Sequence, residues 1–404
     1  MRDDLIRIFR AGVARAAPGP AVTAAMPGAR PDLILALGKA ACAMAEAALA
    51  RHPGVPALVV TNGENARDLP GAEVMVGGHP VPDAGSAAAG AALLARAGAL
   101  GGGELLCLIS GGGSALAVAP VAGLTLADKA AATRAMLGGG LDIEAMNLVR
   151  QQLSRIKGGG LARAAAPARV TALILSDVVG DALAAIASGP VSPPLGTPWA
   201  ARDVLARAGL WDGMPAPVRE ALSRPPAPPP PEAACRIVGS NRMSVEAMAH
   251  AAPRARVEAA PLVGDVAEAA ARVARAARSG PGTTLWGGET TVVLRGDGLG
   301  GRNQELALRV ALRLEGLGVP WAFLAGGTDG RDGPTDAAGA VVGGGPEGGT
   351  VARIRAAGID PRAALARNDS HPALDAAGDL LRIGGTGTNV ADLAILRVGP
   401  SSGA

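Results

Sequence analysis

Short apolar runs, each ending in glycine or a polar residue and followed by a longer stretch of helical periodicity, recur through the first half of this chain. LILAL (Leu33 to Leu37) leads into GKAACAMAEAALA, and ALVVT (Ala57 to Thr61) follows. LLCLIS (Leu105 to Ser110) runs into a glycine turn, and TALILSD (Thr171 to Asp177) repeats the form. Runs this short and uniformly apolar are strands buried on both faces. Alternating with helices, they form a mostly parallel sheet covered on either side. The expected fold class is therefore α/β. At 404 residues the chain exceeds one ordinary core. Residues 214–231 include RPPAPPPPEA, a stiff segment that reads as a domain boundary. Beyond it CRIVGSN, TTLWGG, TTVVLRG and WAFLAGG read as further strands with more glycine turns. The expected organisation is a first domain over 1–230 and a smaller mixed α/β domain over 231–404. The last residues are free to pack back on the first domain.

Composition narrows the function classes. Aromatic residues make up 1% of the chain, with no Tyr, which disfavours aromatic-rich nucleic-acid readers. The net charge of +3 comes from scattered arginines, so the reading is no nucleic-acid partner. Three cysteines form no CxxC, and four histidines form no ligand pair, so thiol or imidazole zinc sites are not expected. MRDDLIRIFRAG reads as an amphipathic helix rather than a signal peptide, and no uninterrupted apolar segment is long enough to span a bilayer. A cytoplasmic enzyme with no membrane partner is the expectation.

In open α/β sheets, ligands sit beyond the carboxyl ends of the strands. LILAL ends in Gly38-Lys39. LLCLI ends in Ser110-Gly111-Gly112-Gly113-Ser114, a loop with several backbone N–H groups to offer an anion, or simply a tight turn. TALIL ends in Ser176-Asp177, where an aspartate can bind a ligand or cap a helix. NLVRQQLSRIKGG places Arg150, Ser154 and Lys157 at helical spacing, either a solvated face or a phosphate-binding one. In the second half Glu289 follows the glycines of LWGGE, GGTDGRDGPTD carries Asp329, Asp332 and Asp336, and GGTGTNVAD carries Thr388, Asn389 and Asp392. Carboxylates in glycine loops suit Mg²⁺, although such turns also occur as plain loops. Anion-binding glycines, two candidate cations and several acids, without a Ser/His triad, favour phosphoryl transfer.

One stretch pulls another way. VVLRGDGLGGRNQELAL (Val292 to Leu308) sets Gly296, Gly298 and Gly301 at the GxGxxG spacing of a dinucleotide turn. Asp297 would put a carboxylate inside that cradle. The acid needed about 20 residues on falls on Glu315, in the continuing helix.

Taken together, ALGKAA, GGHPVPD, LISGGGSAL, GLTLADK, NLVRQQLSRIKGG, LILSDVVGD, IASGP, VGSN, GGETTV, GGRNQELAL, GTDGRDGPTDAAGA and GTGTNVADL resemble, in order and over nearly the whole chain, the glycerate 2-kinases whose C-terminal domain is called MOFRL. Older members carried the label hydroxypyruvate reductase. The resemblance implies a Rossmann-like N-terminal domain, a smaller MOFRL domain and an active site in the cleft between them. It implies phosphorylation of D-glycerate at its 2-hydroxyl, with ATP and Mg²⁺ as cofactors. Lys39 and Arg302 take the catalytic positions. Ser110, Gly111, Gly112, Gly113, Ser114 and Asp177 take substrate or phosphate positions. Glu289, Asp329 and Asn389 take nucleotide or metal positions. A homodimer is left open. The chain departs from the family pattern in SGPVSPPLGT, which lacks an aspartate, in GGTGTN, which lacks a proline, and at His371, where an aromatic is usual. Two alternatives stand beside this reading: an NAD(P)H-dependent hydroxypyruvate reductase, and a non-catalytic module that senses nucleotides or sugar phosphates.

Overall fold

The computed structural model describes residues 1–400 and divides the chain into two compact units. One is Pro18–Val238; the other joins Met1–Ala17 to the chain from Gly239 onward.

The Pro18–Val238 unit is built on a six-stranded sheet of β1 (Leu33–Leu37), β2 (Ala57–Thr61), β3 (Ala72–Val76), β4 (Glu104–Ile109), β5 (Arg169–Leu175) and β6 (Ala233–Gly239). Their spatial order is β3-β2-β1-β4-β5-β6, the order of dinucleotide-binding folds, and β1 to β5 pair in parallel. β1, β2 and nearly all of β4 are buried, as their unbroken apolar sequences require. Leu33, Leu35 and Leu37 face a core closed by helices Ala84–Ala99 and Gly160–Ala165. A satellite core packs helices Leu126–Gly138, Ile143–Gln152, Pro198–Arg207 and Ala216–Ser223 around Met136, Val149 and Leu205.

The second unit holds a mixed sheet of β7 (Arg256–Val257), β8 (Leu262–Asp265), β9 (Gly282–Thr291), β10 (Trp321–Gly327), β11 (Gly339–Gly345), β12 (Gly348–Gly349), β13 (Leu380–Leu381) and β14 (Asp392–Val398). Alternate residues of β10 serve opposite faces, as a period of two demands. Trp321, Phe323 and Ala325 pack with helices Val266–Arg278 and Arg302–Arg313, and Ala322 and Leu324 pack with helices Arg2–Arg15 and Asn241–Ala251.

Three expectations are corrected. Met1–Ala17 belongs with the second half of the chain, because Leu5, Ile8 and Phe9 lie on one helical stripe and bury against Leu285, Leu324 and Ile395. The proline segment is not the boundary. After it β6 still adds to the first sheet, Pro230 packs over Gly159, and the unit continues to Val238. Within the second unit β14, the last described strand, occupies the interior of the sheet between β9 and β10; the expectation that the last residues pack back on the first domain falls in part on residues 401–404, outside the described residues. TTLWGG and TTVVLRG also prove to be one strand and a loop. β9 stops at Thr291, and Val293 and Leu294 are exposed.

Candidate active site

The order of the first sheet reverses between β1 and β4, so the carboxyl ends of those strands form a topological switch point, where such folds bind ligands. Lys39 and the 110–114 loop both lie there. Gly38 has φ +128°, and a Cβ on it would fall 2.2 Å from Ser110 Oγ and 2.4 Å from Ser110 O. Only glycine lets the two strand ends approach this closely. The Lys39 amide then donates to Gly111 O at 2.9 Å, and the Ala40 amide donates to Ser110 Oγ at 3.0 Å. Ser110 is thus a buried clamp on the helix that follows Lys39. Gly38→Ala is expected to cost about 2–4 kcal/mol through the clash and the unfavourable φ, read as a lower urea midpoint. An unchanged midpoint would contradict the close approach.

The rest of the loop gathers further groups. The Lys39 stem and the His79 ring lie over Gly112, and the Asp177 carboxylate lies against Gly111. Burial, and then the charge of Lys39, hold the His79 imidazole below its usual pKa. Ser114 Oγ pairs with Ser188 Oγ at 2.9 Å and accepts from an Arg150 nitrogen at 3.1 Å and from Lys157 Nζ at 2.5 Å. Lys157 Nζ also donates to Ser114 O at 2.8 Å. Arg150 and Lys157 therefore do meet the glycine loop, though not by helical spacing. Their helix ends at Gln152, and Ser154 Oγ is spent accepting from the amides of Ile156 and Lys157. Ser188 escaped the sequence reading. It and Ala187 hold φ of 60° and 49°, a region that costs non-glycine residues energy and that concentrates at functional sites.

In the second unit Glu289, Arg302, Asp329 and Asn389 come to one end of the mixed sheet. Arg302 opens helix Arg302–Arg313 directly after β9 and its loop. A cation at a helix N-terminus opposes the helix dipole, and here acids offset it. Arg302 donates through one nitrogen to Glu289 Oε1 and Thr290 O, and its other terminal nitrogen lies 3.4 Å from Asp392 Oδ2. Asp392 lies opposite Gly288 on β9 and Gly327 on β10. Asp329 and Asp392 both border Gly327. Asn389 Oδ1 accepts from the amide of Ala391, supporting a turn at positive φ, and Asp329 Oδ1 accepts from the amide of Arg331.

The aspartates of GGTDGRDGPTD part company. Asp329 stays with the cluster, and the charge of Asp332 reaches both Arg302 and Asp392. Asp336 pairs with His371 and Arg382, which hold its carboxyl at about 2. His371, a departure from the family pattern, thus has a structural partner. Buried Asp332 accepts from the amides of Asn303 at 3.1 Å and Gln304 at 2.8 Å.

That cap settles the glycine turn. A dinucleotide pyrophosphate needs the free N–H groups of the helix that follows its glycines, but the Asp332 carboxylate holds two of them, at Asn303 and Gln304. A Cβ on Gly301 would strike that carboxylate, and Gly296, Gly298 and Gly300 press against residues 367–370. Antiparallel β14 also separates β9 from β10, where a dinucleotide fold would pair them directly. The glycines serve to mount Arg302.

Among the described residues, no group of three or more His, Cys, Asp or Glu side chains could by itself hold a metal ion. Mg²⁺ asks for less, since it keeps much of its water and takes one or two carboxylates beside substrate phosphates. Asp392 Oδ2, buried and without a hydrogen-bond partner, and Asp329 are oxygen donors of the right kind.

Burial above all, opposed by Arg302, pushes the Asp392 carboxyl up to about 7, and burial likewise raises Asp332 despite its amide donors. Both acids bind their protons more tightly folded than unfolded. Their contribution to stability is therefore present in full below about pH 4 and falls as pH rises, that of Asp392 being lost as pH climbs through about 7. Without divalent cations, Asp392→Asn is expected to flatten the fall in Tm between about pH 5 and about pH 7.5. A variant slope matching the parent would mean that Asp392 is ionised throughout.

A doubly wound sheet with a lysine and a glycine loop at its switch point, joined in one chain to a mixed sheet that presents an arginine among acids, defines an α/β enzyme of the phosphotransferase kind. Two family descriptions match the chain: "Domain of unknown function (DUF4147)" over residues 4–223 and "MOFRL family" over 282–392. D-glycerate 2-kinase of Thermotoga maritima is 36% identical, the match covering 96% of each chain. The crystal structure of a glycerate kinase from Thermotoga maritima superposes with a TM-score of 0.89 at 35% identity, covering 98% of this chain and 99% of its own. A protein of Agrobacterium vitis with the provisional name hydroxypyruvate reductase is 41% identical, covering 98% of this chain and 94% of its own. The chain belongs to the glycerate kinase family with a C-terminal MOFRL domain.

Proposed function

We propose that this chain transfers the terminal phosphoryl group of ATP, with Mg²⁺, to the 2-hydroxyl of D-glycerate, giving 2-phosphoglycerate and ADP. The observation that carries this reading is the Asp332 cap, which turns the GxGxxG segment from a nucleotide cradle into a mount for Arg302. The likeness to a D-glycerate 2-kinase over nearly all of both chains supports the substrate and position.

In the transfer, the 2-hydroxyl oxygen of glycerate bonds to the terminal phosphorus, the bond to the bridging oxygen breaks, ADP leaves, and the hydroxyl proton is released to solvent. Such a step needs positioning and charge stabilisation more than covalent help. Lys39 and Arg302 are assigned to the charge on the transferring group and to the glycerate carboxylate. Gly111, Gly112 and Gly113 offer amides, while Ser110 holds the loop and Ser114 its cationic partners. Asp177 orients the substrate. Glu289, Asp329 and Asn389 are assigned to the nucleotide side. Asp329 and Asp392 would hold Mg²⁺, whose contribution is to neutralise phosphate charge.

The test couples ADP and product formation from D-glycerate, ATP and Mg²⁺ through enolase, so that only 2-phosphoglycerate reports directly. A parallel cuvette holds hydroxypyruvate and NADH. Signal in the first and none in the second is expected. NADH oxidation with no phosphorylation would overturn the kinase reading.

A further inference from the structure

Beside Ser114 a cavity of about 390 Å³, within the size range of small-molecule sites, is lined by four cations, of which Arg134 is exposed, and by no carboxylate. Arg150 and Lys157 point into it through their bonds to Ser114. Lys129 is the third. Its stem is half-buried, but Nζ is shut from solvent and has no hydrogen-bond partner. Among the described residues none of the three forms an ion pair. The rest of the lining, Val118, Leu126, Met136 and Leu153 among it, is largely apolar.

Three neighbouring cations without a counter-ion are a costly arrangement, because a buried charge is stabilised only when it is paired. The cost shows in the side chains themselves. Burial first, then Arg150, holds Lys129 down to about 8, and burial, then Lys129 and Arg150, hold Lys157 well below its usual value. Local structure nonetheless fixes the cations in place. A Thr125/Asp128 capping box starts the helix that carries Lys129, and Asp142 caps the helix that carries Arg150. A cluster held this firmly against its own repulsion is complementary to a ligand with several negative charges. Glycerate, with one carboxylate and no apolar surface, matches neither the charge nor the apolar wall. A nucleoside triphosphate matches both.

We propose that this pocket is a nucleotide subsite, with polyphosphate oxygens on Ser114, Lys129, Arg150 and Lys157 and the base against the apolar wall. The proposal rests on the kinase reading; it gives the donor's polyphosphate and base to this pocket and leaves to Glu289, Asp329 and Asn389 the metal part of their nucleotide and metal assignment.

The test is calorimetric titration of the full chain with ATP in the presence of a chelator and without glycerate, so that binding is read apart from turnover. Lys129→Met is expected to weaken ATP at least tenfold while leaving Tm of the free protein equal or higher, since it removes an unpaired buried charge. Inorganic tripolyphosphate should compete with ATP in the parent protein. Exposed Leu137, also on the lining, provides a variant that does not perturb the core, and Leu137→Glu should weaken ATP as well. Unchanged ATP affinity in both variants overturns the subsite. So does loss of 2-phosphoglycerate binding with ATP binding intact, which would give the pocket to the phosphorylated product. If the subsite fails while the parent still phosphorylates glycerate, the kinase reading stands. A parent that neither binds ATP nor phosphorylates glycerate loses both.

Discussion

Arg302→Lys is expected to lower kcat by about 10²-fold or more, with a smaller change in KM for glycerate. Arg302 meets Glu289 and Thr290 O through one terminal nitrogen and faces Asp392 with the other. That fork spans two acids in a fixed plane, whereas a lysine ammonium is a point charge that can settle on one and abandon the other. Burial pulls the guanidinium pKa down, but Asp392 and Glu289 together raise it, so the charge stays in place. In the variant, the acid left unmatched would repel the phosphate that Arg302 is proposed to attract. Steady-state kinetics in the enolase-coupled assay decides the matter. A kcat within about twofold of the parent would remove Arg302 from the catalytic assignment and leave it a structural partner of the two acids.

How much of this could be read from the residues depends on how local the cause is. β1, β2, β4 and β5 declare themselves because buried parallel strands are apolar without interruption. Lys39 and the 110–114 loop follow from where those strands end. What stayed hidden was set by distant packing. No spacing tells that β14 inserts between β9 and β10, or that Met1–Ala17 joins the far half of the chain. The fates of Asp329, Asp332 and Asp336 diverge because a helix start and the His371/Arg382 pair claim two of them, and identical residue types in one glycine-rich run carry no sign of that. Ser188 was missed for a related reason, since a left-handed φ at a serine is imposed by its surroundings. Lys129 lies within the GLTLADK motif, yet only the cavity shows that its ammonium has no hydrogen-bond partner. The GxGxxG spacing is the reverse case, a local signal overruled by a carboxylate arriving from Asp332.

Lys39→Met is expected to lower kcat by about 10²–10³-fold while changing stability by less than about 1 kcal/mol. This separation distinguishes it from Arg302. The Lys39 backbone is fixed by its amide bond to Gly111 O and by the close approach of Gly38, neither of which needs the side chain. Its ammonium joins no ion pair among the described residues, so its removal leaves no acid exposed to an unbalanced field. The fold has therefore spent a glycine at a strained φ and a buried serine clamp to place a charge that neutralises nothing in its own unit. Such a charge is explained by a ligand it meets. The measurement pairs kcat and KM with a urea melt, and Lys39→Arg is included because a bulkier cation keeps the charge but must fit over Gly112 beside His79. Full activity in Lys39→Met would reduce Lys39 to a surface charge at a strand end. A large loss of stability along with activity would show instead that the side chain holds the 110–114 loop together, and that the catalytic cation has to be sought among Lys129, Arg150 and Lys157.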